Sequence, residues 1–214
     1  LNAFLKPSDK IDSKCFSAEE SRVTSALGIG WEANSDVLFY KNVDSIINYA
    51  NSLPATRKTI LSVAPRLYDS LGLLHALVVQ SKMLLKLAWA CTKAWDDPLP
   101  DDLADLWRRW LSQLPLVKEI KIPRNVWLEG ADRITLEAFS DASEQSVIGC
   151  VYLRCQRSDV VTSHLIGATS RVKKFAKTST IARLELCALL EATSLAHARA
   201  LALNIPRDCI YGYT

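Results

Sequence analysis

The chain has 214 residues, with 26 basic and 23 acidic side chains, a net charge of +3, 49% apolar residues and seven glycines. So small a charge does not mark a dedicated polyanion binder, and the apolar content excludes a disordered linker or a collagen-like repeat. The apolar run around Leu71 to Val79 soon meets Lys82 and Lys86, well short of the about 20 residues that span a bilayer, so no membrane partner is expected.

The length suits one large globular domain or two small ones. The N-terminus has no signal-peptide pattern and does not begin with Met, which reads as a cut from a longer chain. Six cysteines occur without a C-x-x-C pair, favouring a reducing interior. His75, His164 and His197 lack the spacing of a zinc site.

Residues 1 to 22 are polar and mixed. From Val23 to Tyr40 the pattern predicts two short strands, Ala26 to Trp31 and Asp36 to Tyr40, around the polar turn Glu32 to Ser35. Gly28-Ile29-Gly30-Trp31 lacks the third glycine and the helix of a dinucleotide loop. Thr56 then caps a helical stretch with apolar positions Ile60, Ala64, Leu67, Leu71, Leu74, Val78, Leu85 and Ala88, which Pro65 and Gly72 break or kink. A further helix starts near Asp96 to Asp102, whose acids suit a positive helix N-terminus, and it buries Leu103, Leu106, Trp107, Trp110, Leu111 and Leu114.

Beyond an extended connector bracketed by Pro115 and Pro123, the period becomes that of strands. Ile134 to Asp141, Val147 to Leu153 and Val160 to Ala168 predict a three-stranded meander. Ile181 to Leu203 predicts a helix, apolar almost all round and therefore largely buried. Pro206 ends it, and Ile210 to Tyr213 predicts a fourth strand.

Within this order, Asp141 closes the first strand and Glu185 sits near the start of the long helix. Two carboxylates brought together from a sheet and its covering helix hold hard divalent cations through oxygen. The same residue types also serve as a turn cap and a first-turn helix acid, and the residues alone leave both readings open. Glu191 lies about 240° round the helix from Glu185, at an ion-pair or solvent position. Arg171, Lys173, Lys174, Lys177 and Arg183 put five positive charges and no acid between the third strand and the helix, suited either to a phosphate backbone or to plain solvation.

Phe139-Ser140-Asp141-Ala142-Ser143, Arg183-Leu184-Glu185-Leu186-Cys187 and Ile210-Tyr211-Gly212-Tyr213-Thr214 resemble the ribonuclease H segment of Pao/BEL-type LTR retrotransposon polyproteins. Upstream, Leu27-Gly28-Ile29-Gly30-Trp31, Tyr68-Asp69-Ser70-Leu71-Gly72-Leu73 and Trp95-Asp96-Asp97-Pro98-Leu99-Pro100 resemble the reverse transcriptase tail that precedes it there. The resemblance implies an α+β chain with residues 1–55 ending the palm and hairpin region, 56–130 forming a helical thumb and connection, and 131–214 forming a ribonuclease H-like domain cut at its C-terminal end. It makes Asp141 and Glu185 the first two catalytic and metal-binding members of a D-E-D-D set, with the other two beyond Thr214.

By the same resemblance, two Mg²⁺ ions would serve hydrolysis of RNA in an RNA:DNA hybrid, with RNA-directed DNA polymerase activity elsewhere in the parent and little activity in this fragment alone. The other partners are the rest of the polyprotein, namely an upstream palm and a downstream ribonuclease H remainder and integrase, in the cytoplasm or in virus-like particles. The competing expectation is a degenerate or recruited module that binds nucleic acid or protein without catalysis. Asp69-Ser70-Leu71 lacks the glycine of an aspartic protease motif.

Overall fold

A computed structural model describes residues 23–26, 28–173 and 180–214. The architecture is α+β, with two four-stranded sheets and five α-helices among the described residues. In the first sheet, β1 (Val23–Ala26), β2 (Ile29–Glu32), β3 (Val37–Tyr40) and β4 (Ile122–Pro123) pair antiparallel in that order. The sequence pattern predicts one strand over Ala26 to Trp31. Gly28, at φ +79°, instead turns the chain between β1 and β2, a left-handed conformation that glycine adopts without steric cost.

Four helices share one core with this sheet. They are α1 (Val43–Asn51), α2 (Arg57–Val63), α3 (His75–Cys91) and α4 (Asp101–Gln113). Thr56 caps α2 as its sequence position predicts, its side chain accepting a hydrogen bond from the Thr59 N–H at 3.1 Å. Pro65 falls in a short 3₁₀ turn, and α3 begins only after Gly72, so the periodic stretch forms two helices. One continuous core runs from Tyr40 through Val43, Ile60 and Val63 to Trp107, Trp110 and Leu114. The two tryptophan rings stack 5.0 Å apart, and the Trp110 indole N–H donates to the Leu77 carbonyl at 2.9 Å, tying α4 to α3. Full burial of such side chains contributes roughly 2 to 3 kcal/mol each. Leu106, expected inside, is exposed.

The second sheet has the order β7-β6-β5-β8. Strands β5 (Arg133–Ala142), β6 (Ser146–Arg157) and β7 (Val160–Val172) form the antiparallel meander, and β8 (Ile210–Tyr213) returns parallel to β5. Between β7 and β8, α5 (Ile181–Leu203) lies on the sheet through Leu184, Ala188, Ala192, Ala196 and Ala200, a stripe at every fourth residue. The alanines let the helix sit close. A Cβ added at Gly149 of β6 would come within 2.9 Å of Ala192.

The helix is less enclosed than its composition predicts. Leu186, Leu190 and Leu201 are each about two-thirds exposed, because they lie off the stripe that is buried on the sheet. By length and hydropathy alone α5, unlike the run around Leu71 to Val79, is also apolar enough to cross a membrane. In this fold it covers a sheet.

Candidate active site and nucleic-acid interface

Alternation along β5 decides where Asp141 points. Leu136, Ala138 and Ser140 are buried, with Leu136 and Ala138 in the core beneath α5, and Ala142 packs with Val147, Leu184 and Ala188. The pleat therefore turns Asp141 to the opposite face, with Phe139. The ladder aligns Asp141 with Ile148 of β6, and Ile148 with Ser170 of β7. These three residues form one row across the end of the sheet on the face away from α5.

Asp141 is exposed, and its carboxylate accepts a hydrogen bond from the adjacent Ala142 N–H at 2.8 Å. It does not close the following turn. That work falls to Ser143, whose hydroxyl oxygen accepts from the N–H groups of Gln145 and Ser146 at 3.2 and 3.1 Å. Ser140, at the buried face, donates to the Tyr213 carbonyl at 3.4 Å and ties β5 to β8.

Glu185 is exposed at the start of the second turn of α5, and the first turn holds no acid. It directly follows Leu184, which packs with Ala142 and Val147 beside Asp141. The structure thus brings the N-terminal end of α5 over the strand end that carries Asp141, although the two side chains leave from different layers. Among the described residues neither carboxylate forms an ion pair, and no three or more His, Cys, Asp or Glu gather as a metal cluster. Two carboxylates suit a hard cation such as Mg²⁺ in chemistry, while forming only part of a ligand set.

The basic stretch divides. Arg171 turns toward α5 and pairs with Glu191 at 2.6 Å, giving Glu191 the ion-pair role its helix position suggested. Lys173 extends the β6–β7 pairing by donating its backbone N–H to the Gln145 carbonyl at 2.8 Å. Arg183 is exposed in the first turn of α5, its backbone N–H donating to the capping Thr180 hydroxyl at 3.3 Å. Lys174, Phe175 and Lys177 lie outside the described residues.

A second set of cations escaped the sequence reading. Lys82, Lys86 and Trp89 of α3 line a groove of about 680 Å³ together with Val172 and Lys173 at the end of β7. The Lys82 ammonium donates to the Ser170 carbonyl at 3.5 Å, in the row that contains Asp141. The available signal was the four- and three-residue spacing of Lys82, Lys86 and Trp89, which puts them on one helix face. What it could not supply was the strand beside which that face lies.

A sequence model of the Pao retrotransposon-like RNaseH-like domain matches residues 56–214. The chain belongs to this Pao retrotransposon-like family. The match takes in the helices from α2 onward as well as the second sheet, so the family's unit includes both. A foamy viral protease-reverse transcriptase dRH solved in complex with ds DNA is 12% identical, with a TM-score of 0.48 over 89% of this chain and 30% of that one. A foamy viral protease-reverse transcriptase in complex with dsDNA is 13% identical, with a TM-score of 0.45 over 89% and 36%. The Pao-like chain thus spans about a third of the length of these structures. A search of curated proteins gave no match.

Proposed function

We propose that this Pao-like chain is the ribonuclease H-bearing part of a retroelement polyprotein that hydrolyses the RNA strand of an RNA:DNA hybrid, with Asp141 and Glu185 as metal-binding carboxylates. One observation supports the reading: Ala142 and Val147 of the strand end pack on Leu184 and Ala188, so the neighbours of each acid meet at one end of the sheet. Because Asp141 itself turns to the face away from α5, a shared ion requires the two side chains to meet round that strand end. Membership of the family supplies the nuclease class.

Both acids are exposed, so an ion carried on a phosphate can reach them. Mg²⁺ held there would supply water activation and stabilisation of the leaving 3′ oxygen, leaving a 3′-hydroxyl and a 5′-phosphate. This chain's own contribution is to hold the two carboxylates on a packed strand and helix. Lys173 and Arg183 add positive charge near that end for the phosphate backbone.

The test is hybrid cleavage by the polyprotein carrying Asp141→Asn or Glu185→Gln. Losing a residue that merely orients a ligand costs about 10- to 100-fold, so each change is expected to lower the rate by about a hundredfold or more without loosening hybrid binding. Wild-type cleavage by either variant would remove that residue from the mechanism and favour a non-catalytic binding module.

A further inference from the structure

We infer that the groove between α3 and the end of β7 holds an unpaired nucleotide of the nucleic acid that reaches Asp141, its base against Trp89 and its phosphate between Lys82 and Lys173. The inference rests on the preceding reading that the chain handles nucleic acid, and it adds a subsite outside the acid pair.

Position is the first support. Ala168, Ser170 and Val172 alternate onto one face of β7, and register joins Ser170 through Ile148 to Asp141. Two strand spacings, about 10 Å, separate the ends of that row. A short stretch of one strand lying over Asp141 therefore arrives at Ser170, where Lys82 already donates to the backbone.

Chemistry is the second. Among the described residues the groove is lined by the cations Lys82, Lys86 and Lys173 and by the apolar Leu85, Trp89, Ala90 and Val172, with no acid. Cations beside an apolar surface complement a phosphate joined to a flat, weakly polar ring. Trp89 is held in place from behind. The buried Arg57 guanidinium stacks over its ring at 4.0 Å, and Trp95 meets it edge-on at 5.0 Å, yet 51% of Trp89 stays exposed. A fixed aromatic surface with one side open is a stacking platform that accepts any base. A paired base cannot reach it, because its faces are already stacked inside the duplex.

The test compares a blunt RNA:DNA hybrid with the same hybrid carrying a six-nucleotide single-stranded extension at either end. Binding to the full chain is followed by fluorescence anisotropy in EDTA, so that no hydrolysis intervenes. The extension should tighten wild-type binding about tenfold. Trp89→Leu should abolish that gain and leave blunt-hybrid binding unchanged, while Trp89→Phe restores part of it. Lys82→Gln with Lys173→Gln should lower the salt dependence of extended-hybrid binding by about one counterion, as expected for one phosphate, with thermal unfolding confirming that each variant is folded.

A wild-type chain that binds the blunt hybrid but gains nothing from the extension would overturn the groove assignment alone. Failure to bind either hybrid would defeat the proposed function as well. Displacement of the extension by polyglutamate of equal charge, as effective as by oligonucleotide, would show a site that reads charge only and would also overturn the assignment.

Discussion

The carboxylate of Asp69 accepts three hydrogen bonds, from the N–H groups of Leu73 and Leu74 and from the Tyr40 hydroxyl, each at 2.9 Å, and only 4% of it is exposed. Its place in an Asp-Ser-Leu word invites a protease comparison. The structure gives it the work of fastening the turn before α3 to the first sheet. Burial, with the neighbouring Asp69 charge, pushes the Tyr40 hydroxyl far above its ordinary pKa, so the phenol remains a donor. Asp69→Ala would leave three donors without a partner, and is expected to destabilise the chain by about 3 kcal/mol in urea unfolding.

His75, beside Asp69, supplies a pH test. Burial, and then the Lys82 charge, hold its pKa below the ordinary value, against the opposing pull of Asp69. In the unfolded chain His75 protonates near pH 6.5, while the folded site resists the proton. The unfolded state therefore binds more protons as pH falls, and the stability this site contributes, present above the unfolded value, is lost as pH drops from about 6.5 through the lower folded pKa. The urea midpoint should fall over that window in the wild type and fall less in His75→Asn.

Among the elements, α2 shows how little sequence a short helix needs when its N-terminal end is secured. Seven residues make a helix too short to persist alone. Thr56 accepts from the Thr59 backbone at its N-terminus, while the Leu99 N–H donates to the Ala55 carbonyl at 3.0 Å and the Lys58 N–H to Trp95 at 3.2 Å. Thr56→Ala removes the cap and should cost about 1 kcal/mol, read as a lower urea midpoint with an unchanged slope. Helix α5 makes the opposite point. Its apolar composition is uniform, but the residues it buries fully on the sheet are the fourfold-spaced Leu184, Ala188, Ala192, Ala196 and Ala200. A composition count cannot separate the stripe that packs from the leucines that do not.

At the scale of the whole molecule, the helical layer and the second sheet meet at Gly72 and β7. Gly72 has φ +78°, and a Cβ there would collide with the backbone of Ala168, 2.7 Å from its nitrogen. Any side chain thus meets both a left-handed backbone penalty of about 1 to 2 kcal/mol and a clash with a strand that cannot move alone. Gly72→Ala is expected to cost about 3 kcal/mol in total and to speed amide exchange at Ser170 and Val172. Because α3 reaches β7 just beyond this contact, the same change should weaken the gain that a single-stranded extension brings to hybrid binding.

The order of elements from Thr56 onward, the Thr56 cap and the break at Pro65 and Gly72 are local in sequence, and periodicity with short-range chemistry was enough to read them. The nine-residue α1, between β3 and Thr56, went unread. Three matters needed the tertiary structure. Gly28 splits a predicted strand because β1 and β2 pair with each other. Arg171 leaves the basic stretch to pair with Glu191, since alternation sends it to the α5 face. Lys82 and Trp89 join the end of β7, 80 or more residues away in the chain, through a contact that no local pattern encodes. Which face a strand residue takes, and which distant surface that face meets, depends on packing between elements, and that is settled only when the whole chain folds.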